Sequence, residues 1–247
     1  MSRWWLLGLG LGAYLLGLIA TAPASLIDAG LEKASEGRLR LAEAQGTLWS
    51  GTGQIELRDR MRRSGVAKSI AWRVRPAYLL RGQLRCDVGL ELSTKRFPVT
   101  ISLAGIEVSD ADIDLPAAAL GLAIPKLAPL GLTGDVALRL ARFSFARSAV
   151  KGNATLQWRS AGSALTRVSP LGDYELRIEG EGAAVRASLR TLQGPLQLDG
   201  RGSFASGGNP TFLGTARIPP EHLQQLAPLM RLIAVERGEG TFALQLN

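Results

Sequence analysis

The strongest constraint on the fold is a two-residue alternation of apolar and polar side chains that begins after Gln45 and continues to the end of the sequence. Eleven segments follow this period, among them SIAWRVRP (69–76) and GDYELRIEG (172–180), and short stretches rich in Gly, Pro, Asn and Ser separate them. Successive side chains of a strand point to opposite faces, so the pattern predicts a mainly β, antiparallel sheet with one buried and one wetted face. Helical patterns between the strands are missing, which argues against a parallel α/β sheet.

The composition excludes several kinds of catalytic and metal-binding site. The 247 residues include one cysteine, Cys86, and one histidine, His222, so an intramolecular disulfide, a Cys-rich zinc site and a His-rich metal centre are excluded. His222 lies in a polar stretch, and the sequence contains no Gly-x-Ser-x-Gly motif whose serine it could activate as a general base. The three aspartates of SDADIDLP (109–116) lack the glycine of a calcium loop, because Leu115 occupies its sixth position. We expect no enzyme, no cofactor and no metal.

Residues 4–22, WWLLGLGLGAYLLGLIATA, form an uncharged run of 19 residues, close to the roughly 20 that a membrane-spanning helix needs. This run predicts a single-pass N-terminal transmembrane helix. Its candidate anchor residues are Trp4, Trp5, Tyr14, Leu15 and Leu16. Arg3 precedes the run, whereas Asp28 and Glu32 follow it, which favours a cytoplasmic N-terminus with the bulk of the chain on the other side.

A cleaved signal peptide is the competing interpretation of this segment, since Ala20-Thr21-Ala22 and Ala22-Pro23-Ala24 both offer small-x-small sites. The apolar run is longer than the roughly 7 to 15 residues of a typical signal peptide, and only one arginine precedes it, so a retained anchor over residues 1–24 is favoured. Both interpretations place the remaining chain outside the cytoplasm. Residues 25–45 follow with a helical spacing of apolar positions and are predicted to form a short helical stalk.

Two segments interrupt the alternation, LPAAALGLAIPKLAPLGL (115–132) and IPPEHLQQLAPLMRLI (218–233). Both open with proline, both contain Leu-Ala-Pro-Leu, and both lead through a glycine into an alternating strand. Tryptophans in the similar strands AWRV and QWRS lie about half a chain apart. The sequence therefore predicts two similar β halves with short helices, residues 46–140 and 141–247.

Four segments carry a resemblance to a known family: GTLWSG (46–51), WRSAGSAL (158–165), PLGDYELRI (170–178) and TLQGPLQLDGRG (191–202). In this order behind an Ala-Pro-Ala turn at 22–24, the sequence resembles the N component of type II secretion systems, the general secretion pathway, over its whole length. The resemblance implies a protein of the bacterial inner membrane with one span and a β-rich periplasmic domain. It also implies a non-enzymatic docking or assembly role, with the outer-membrane pore and the inner-membrane platform subunits as partners.

Basic residues are concentrated between Arg58 and Arg85, where nine arginines and lysines stand against Asp59 alone. The candidate docking residues are Arg58, Arg60, Arg62, Arg63, Lys68, Arg73 and Arg75. Anionic lipid headgroups, an acidic partner surface and a basic loop without a partner remain open as interpretations. Nucleic acid is not an expected partner, because Trp72 and Tyr78 are the only aromatic residues in this block.

Two further hypotheses concern apolar surface. Trp49, between the glycines of GTLWSG, is predicted to lie in the core, with an exposed aromatic anchor for a partner as the alternative. The many Leu, Val and Ala residues of the strands also suit a groove for an acyl chain. A membrane-anchored periplasmic protein that binds or carries lipid is therefore the second functional hypothesis.

Overall fold

The computed structural model describes residues 3–58, 65–91, 95–124, 127–146, 149–205, 211–232, 234–238 and 240–246. The α-helices of this part are α1 (Arg3–Ala20), α2 (Ser25–Ala34), α3 (Ala118–Ala123) and α4 (Leu223–Arg231). Its first strands are β1 (Leu39–Gly46), β2 (Ser50–Leu57), β3 (Val66–Arg75), β4 (Gln83–Leu90), β5 (Arg96–Ser102), β6 (Gly105–Pro116) and β7 (Leu132–Ala146). The others are β8 (Ala149–Ser163), β9 (Gly172–Gly182), β10 (Ala184–Gln193), β11 (Gln197–Ala205), β12 (Thr211–Arg217), β13 (Val235–Gly238) and β14 (Thr241–Leu246).

The chain divides into two compact units, Met1–Arg96 and Phe97–Asn247. In the first unit, β1 to β4 pair in chain order, each antiparallel to the next. In the second, β5 to β12 pair in the same way, and β14 then lies between β12 and β13. The predicted mainly β, antiparallel architecture is confirmed.

The apolar and polar faces of the second unit follow the alternation. Cross-strand partners from β6 to β10 form an apolar row of Ile113, Leu138, Leu156, Leu176 and Leu189, all half-buried. The neighbouring positions Thr155, Arg177 and Ser188 stand on the opposite face, where they also pair with one another. Directly opposed side chains of antiparallel strands share a face, so the row is a continuous apolar band across five strands.

In the first unit, α2 covers one face of the sheet. Ala24, Leu41 and Trp72 form its buried core, with Ile27 and Leu31 of α2 packed against them. The helix ends at Ala34, and the following backbone takes positive φ at two successive residues, Glu36 and Gly37. The chain then enters β1 at Leu39, so residues 39–45, the last part of the stretch 25–45 predicted as a helical stalk, lie in a strand.

Side chains of α2 and of the residue that follows it also cover the outer edge of β1. The Asp28 carboxylate accepts a hydrogen bond from the Leu41 backbone N–H at 2.8 Å, and the Ser35 hydroxyl accepts one from the Leu39 N–H at 2.9 Å. Unpaired N–H groups on an edge strand are a template for pairing with another chain. These two bonds therefore occupy donors that an added strand would use.

The core of the second unit lies under α4. Leu226 and Met230 of this helix pack with Ala216 of β12 and Phe242 of β14, and each of these four side chains is at most 2% exposed. The helix is amphipathic with its apolar residues on the sheet side, and burying that face stabilises both elements. This cluster is the largest apolar core among the described residues.

The three helical connections share one contact. In each, a buried residue donates its backbone N–H to the carbonyl of a glycine with positive φ. The pairs are Ala24 with Gly46 at 3.3 Å, Ala117 with Gly134 at 2.8 Å, and Ile218 with Gly240 at 2.8 Å. The helix of the first connection precedes six strands, β1 to β6, and that of the second precedes β7 to β12. The division into halves at residues 140 and 141 stays a prediction.

Candidate docking surface at the end of the N-terminal helix

The predicted anchor residues belong to α1. Tyr14 is 65% exposed and Leu15 is 49% exposed, and Leu9, on the opposite side of the helix, is exposed as well. The side chains of Trp4, Trp5 and Leu16 lie outside the part that the structure describes. Within the described part, no helix combines the length and apolar character required to cross a membrane.

The end of α1 is fastened to the turn between β1 and β2. The Trp49 indole Nε1 donates a hydrogen bond to the Ile19 carbonyl at 2.8 Å, and the Leu48 N–H donates to the Ala22 carbonyl at 2.8 Å. The last carbonyls of a helix lack partners within it, so the indole satisfies an acceptor there. We call these two contacts the helix clamp. Trp49 is half-buried, and its polar tip is engaged within the chain.

Behind the helix clamp, a second tryptophan supports the turn. The Trp72 indole donates to the Thr47 carbonyl at 3.2 Å. Its ring lies against Gly51 so closely that a Cβ at that glycine would come within 2.5 Å of the ring. The Val74 N–H, two residues further along β3, donates to the Trp49 carbonyl at 2.6 Å. A continuous series of hydrogen bonds therefore connects the last turn of α1 with the end of β3.

The segment after β3 presents apolar and basic side chains together. It consists of a 3₁₀ helix, Pro76–Arg81, closed by Gly82 at a φ of 67°, and we call it the β3–β4 turn. Leu80 is 93% exposed and Leu79 is 43% exposed. The guanidinium carbons of Arg81 and Arg85 stand 5.9 and 5.1 Å from the centre of the Tyr78 ring, within the range of a cation–π contact.

The structure separates the predicted basic docking residues. Because β2 and β3 are antiparallel, Arg73 lies opposite Ser50 at the end of the sheet near α1, with Arg75 beyond it, while Arg58 follows the far end of β2. Lys68 shares a face with Ile55 and pairs with Glu91 at 2.7 Å. Arg60, Arg62 and Arg63 lie outside the described residues. The four that are described, Arg58, Lys68, Arg73 and Arg75, therefore do not form one surface.

A buried carboxylate on β9 is a feature that the sequence analysis did not single out. The Glu175 side chain is 6% exposed and forms salt bridges with Arg177 and Arg190, both at 2.7 Å, while Gln157 donates to it at 3.2 Å. Burial raises the pKa of this carboxyl, but the hydrogen bonds and the positive charge of Arg177 outweigh that effect and hold the pKa below its usual value. The sequence signals the ion pair with Arg177, because Glu175 and Arg177 are two residues apart and share a face of the strand. It does not signal the ion pair with Arg190, which the pairing of β9 with β10 brings opposite Glu175.

The predicted chemistry-bearing residues elsewhere are dispersed. Asp112 forms an exposed ion pair with Arg139 at 3.6 Å, which places it on the polar face of β6. His222 lies in a short 3₁₀ helix, Pro220–His222, that leads into α4. In the described part of the chain, no three potential metal ligands come together.

Fold and site together define a class of protein: an antiparallel β protein whose apolar N-terminal helix is fastened to the sheet. A family model described as type II secretion system (T2SS), protein N, matches residues 37–245. The chain therefore belongs to the family of type II secretion system protein N, which confirms the family predicted from its motifs. Neither the curated proteins nor the solved structures contain a match to this chain.

Proposed function

We propose that the chain is a non-enzymatic accessory component of the type II secretion machinery, held in the bacterial inner membrane by α1, with its β units in the periplasm as a docking or assembly module. Family membership supports the secretion role. The observation that carries the proposal is the helix clamp of Trp49 and Leu48 on α1. It ties the sheet to an apolar helix, so that the sheet is presented at a defined height above the bilayer.

The apolar surface of α1 supports the anchoring part of this proposal. Residues 4–22 carry no charge, and Leu9, Leu11, Leu18 and Ile19 are each at least half exposed. Contiguous exposed apolar surface of this kind marks sites of protein or membrane contact. A bilayer covers such a helix on all sides at once.

A test of the anchoring and the orientation uses two single-cysteine variants of the full chain in a Cys86→Ala background. Leu103, at the tip between β5 and β6, is fully exposed and is replaced by cysteine, and Ser2→Cys is the matched cytoplasmic control. In cells with a permeabilised outer membrane, an impermeant maleimide is expected to label Leu103→Cys and not Ser2→Cys until the inner membrane is lysed. Equal labelling of both positions before lysis contradicts the orientation.

For docking we favour the edge of β13. All four residues of this short strand are exposed, whereas two backbone donors of β1, those of Leu39 and Leu41, are occupied by Ser35 and Asp28. An open edge accepts a strand from a partner through main-chain hydrogen bonds. The outer-membrane pore and the inner-membrane platform subunits are the proposed partners.

The docking proposal is tested by a photoreactive amino acid at Val235 on β13, in full-length protein in its native host. Leu213, similarly exposed on β12, is the matched control position. After irradiation and affinity purification, mass spectrometry is expected to find secretion components cross-linked at Val235 and not at Leu213. The same proteins at both positions, or no secretion component at either, contradict the proposal.

A second candidate function, lipid binding, is favoured by the apolar band across β6 to β10. Its leucines are only half-buried, so the band offers surface to an acyl chain. Full-length protein purified in mild detergent is then expected to retain lipid stoichiometrically by mass spectrometry. Leu156→Gln on the band should lose that lipid, whereas Thr155→Gln on the opposite face should keep it. Retention by both variants contradicts a site on the band.

A further inference from the structure

We propose that the β3–β4 turn is a second membrane-contact element, in which Leu80 enters the bilayer surface and the surrounding arginines bind the phosphates of anionic phospholipids. The proposal rests on the proposed anchoring by α1 and adds to it a second site and a ligand class.

The position of the turn follows from the hydrogen bonds around Trp49. Ile19 in the last turn of α1 accepts from the Trp49 indole, and the Trp49 carbonyl accepts from Val74. Pro76, where the turn begins, is two residues after Val74. The β3–β4 turn therefore lies at the end of the sheet to which the end of α1 is fastened. In a helix that enters a bilayer this end stands at headgroup level, where apolar and basic side chains are both accommodated.

The leucines of the turn are displayed by a defined backbone. The Gly82 N–H donates to the Leu79 carbonyl at 2.9 Å, and Gly82 itself takes a left-handed φ that closes the 3₁₀ helix. Tyr78 is held under Arg85, whose guanidinium also donates to the Tyr78 hydroxyl at 3.3 Å. Leu80 takes no part in these contacts and is 93% exposed. Insertion would cover apolar surface that the chain leaves open.

The charges of this end suit a phosphate-bearing surface. Between Arg73 and Arg85 the chain has four arginines and no acidic residue. Arg75 pairs with Asp87 at 2.7 Å, whereas within the described part Arg81 and Arg73, which lies opposite Asp87 on β4, form no ion pair. Arginine binds phosphate oxygens through two parallel N–H donors, and anionic leaflets attract basic residues close to the surface. An acidic protein would satisfy the arginines but gives no reason for exposed leucines beside the anchor.

The experiment measures the depth of single fluorophores on full-length protein in vesicles of phosphatidylcholine and phosphatidylglycerol, with and without brominated acyl chains. In the Cys86→Ala background, labels are placed at Leu80→Cys, at Ala67→Cys near the far end of β3, and at Leu11→Cys in α1. Ala67 and Leu11 are both exposed, so neither label disturbs the core. Ala67 lies six residues before Arg73, roughly 20 Å along the strand.

Brominated lipid is expected to quench the labels at Leu11 and Leu80 strongly and the label at Ala67 weakly. Quenching at Leu11 with no more quenching at Leu80 than at Ala67 overturns the membrane-contact proposal while α1 remains an anchor. Absence of quenching at Leu11 overturns the anchoring itself, and with it this inference.

The role of the arginines has its own readout. The double variant Arg73→Gln, Arg81→Gln is expected to lower the quenching at Leu80 at least twofold without changing it at Leu11. In protein that retains both arginines, replacing phosphatidylglycerol by phosphatidylcholine should lower the quenching at Leu80 to the same extent. If quenching at Leu80 is insensitive to both changes, headgroup binding by the arginines is wrong. A cross-link from Leu80 to an acidic protein in cells, without quenching by lipid, would assign the turn to a protein partner instead.

Discussion

Each unit contains a tryptophan whose indole donates a hydrogen bond to a threonine carbonyl, and we call each such tryptophan with the loop that follows it a tryptophan corner. The two corners differ in whether a helix of the chain covers that loop. Trp72 donates to the Thr47 carbonyl and Trp158 to the Thr133 carbonyl, in each case 25 residues earlier. After Trp158 the chain returns towards the sheet, and Leu171 is buried to 4% exposure in the cluster under α4. After Trp72 the β3–β4 turn instead leaves Leu80 exposed. The second unit covers its corner loop with its own helix, whereas no described helix of the first unit covers the β3–β4 turn.

The largest effect is expected where the second unit covers itself. Phe242 is completely buried under α4, so Phe242→Ala should lower the free energy of unfolding by about 3–5 kcal/mol through lost contacts and a cavity. Leu80→Ala, at an exposed position, should change it by less than about 0.5 kcal/mol. Denaturant titration of the full chain, followed by circular dichroism, measures both. A large loss for Leu80→Ala would show that the turn is part of a core.

The corner tryptophans themselves should differ by a smaller amount. Trp72→Phe removes a buried indole and leaves the Thr47 carbonyl without its donor, which should cost about 1–3 kcal/mol. Trp158 is half-buried, so water can replace its indole and Trp158→Phe should cost about 1 kcal/mol or less. The same titration compares the two variants. Equal losses would mean that burial does not distinguish the corners.

The stability of the second corner should depend on pH, because Gln157, next to Trp158 on β8, donates a hydrogen bond to the Glu175 carboxylate. The folded-state pKa of this carboxyl lies below its usual value, so its stabilisation is present above about pH 4.5 and is lost as the pH falls through the folded-state pKa. Glu175→Gln should therefore be less stable than the parent at neutral pH and approach it in acid. Thermal melts across this pH range measure the difference, with Glu179→Gln, exposed on the same strand, as the control. A difference that stays constant with pH contradicts this prediction.

Only a small effect on overall stability is expected at the helix clamp. Trp49→Phe removes one exposed hydrogen bond to Ile19, which should cost less than about 1 kcal/mol overall. The local effect is larger, because the Leu48 N–H bonded to Ala22 should exchange with deuterium faster. Hydrogen exchange of the parent, of Trp49→Phe and of Trp158→Phe separates this local loosening from a general one. Unchanged exchange at Leu48 in Trp49→Phe would show that the indole does not hold the helix.

The alternation predicts much of the fold because it is a local property. Leu156 and Thr155 are neighbours in sequence, and pointing to opposite faces is enforced by the geometry of a strand. The apolar band and the polar face therefore follow from the residues alone. Two of the helical connections are also predicted from local sequence, since proline opens 115–132 and 218–233 and a glycine follows each.

The basic block shows where such inference stops. As a run of sequence it predicts one docking surface. In the structure, Arg58 and Lys68 lie towards one end of the β2–β3 hairpin and Arg73 and Arg75 at the other, and Lys68 and Arg73 lie on different faces of the sheet. Which end a residue reaches depends on where the strands turn, and this follows from pairing across the whole hairpin rather than from local composition.

By itself, the sequence determined the antiparallel β architecture, the family and the faces of the strands, because strand periodicity and short motifs are read over a few residues at a time. Only the tertiary structure decided that Trp49 binds Ile19, that Asp28 and Ser35 cover the edge of β1, and that Arg190 reaches Glu175. Each of these contacts joins separate elements or strands of the chain. Their geometry is set by strand register and by the backbone at a few residues of positive φ, which the spacing of side chains does not encode.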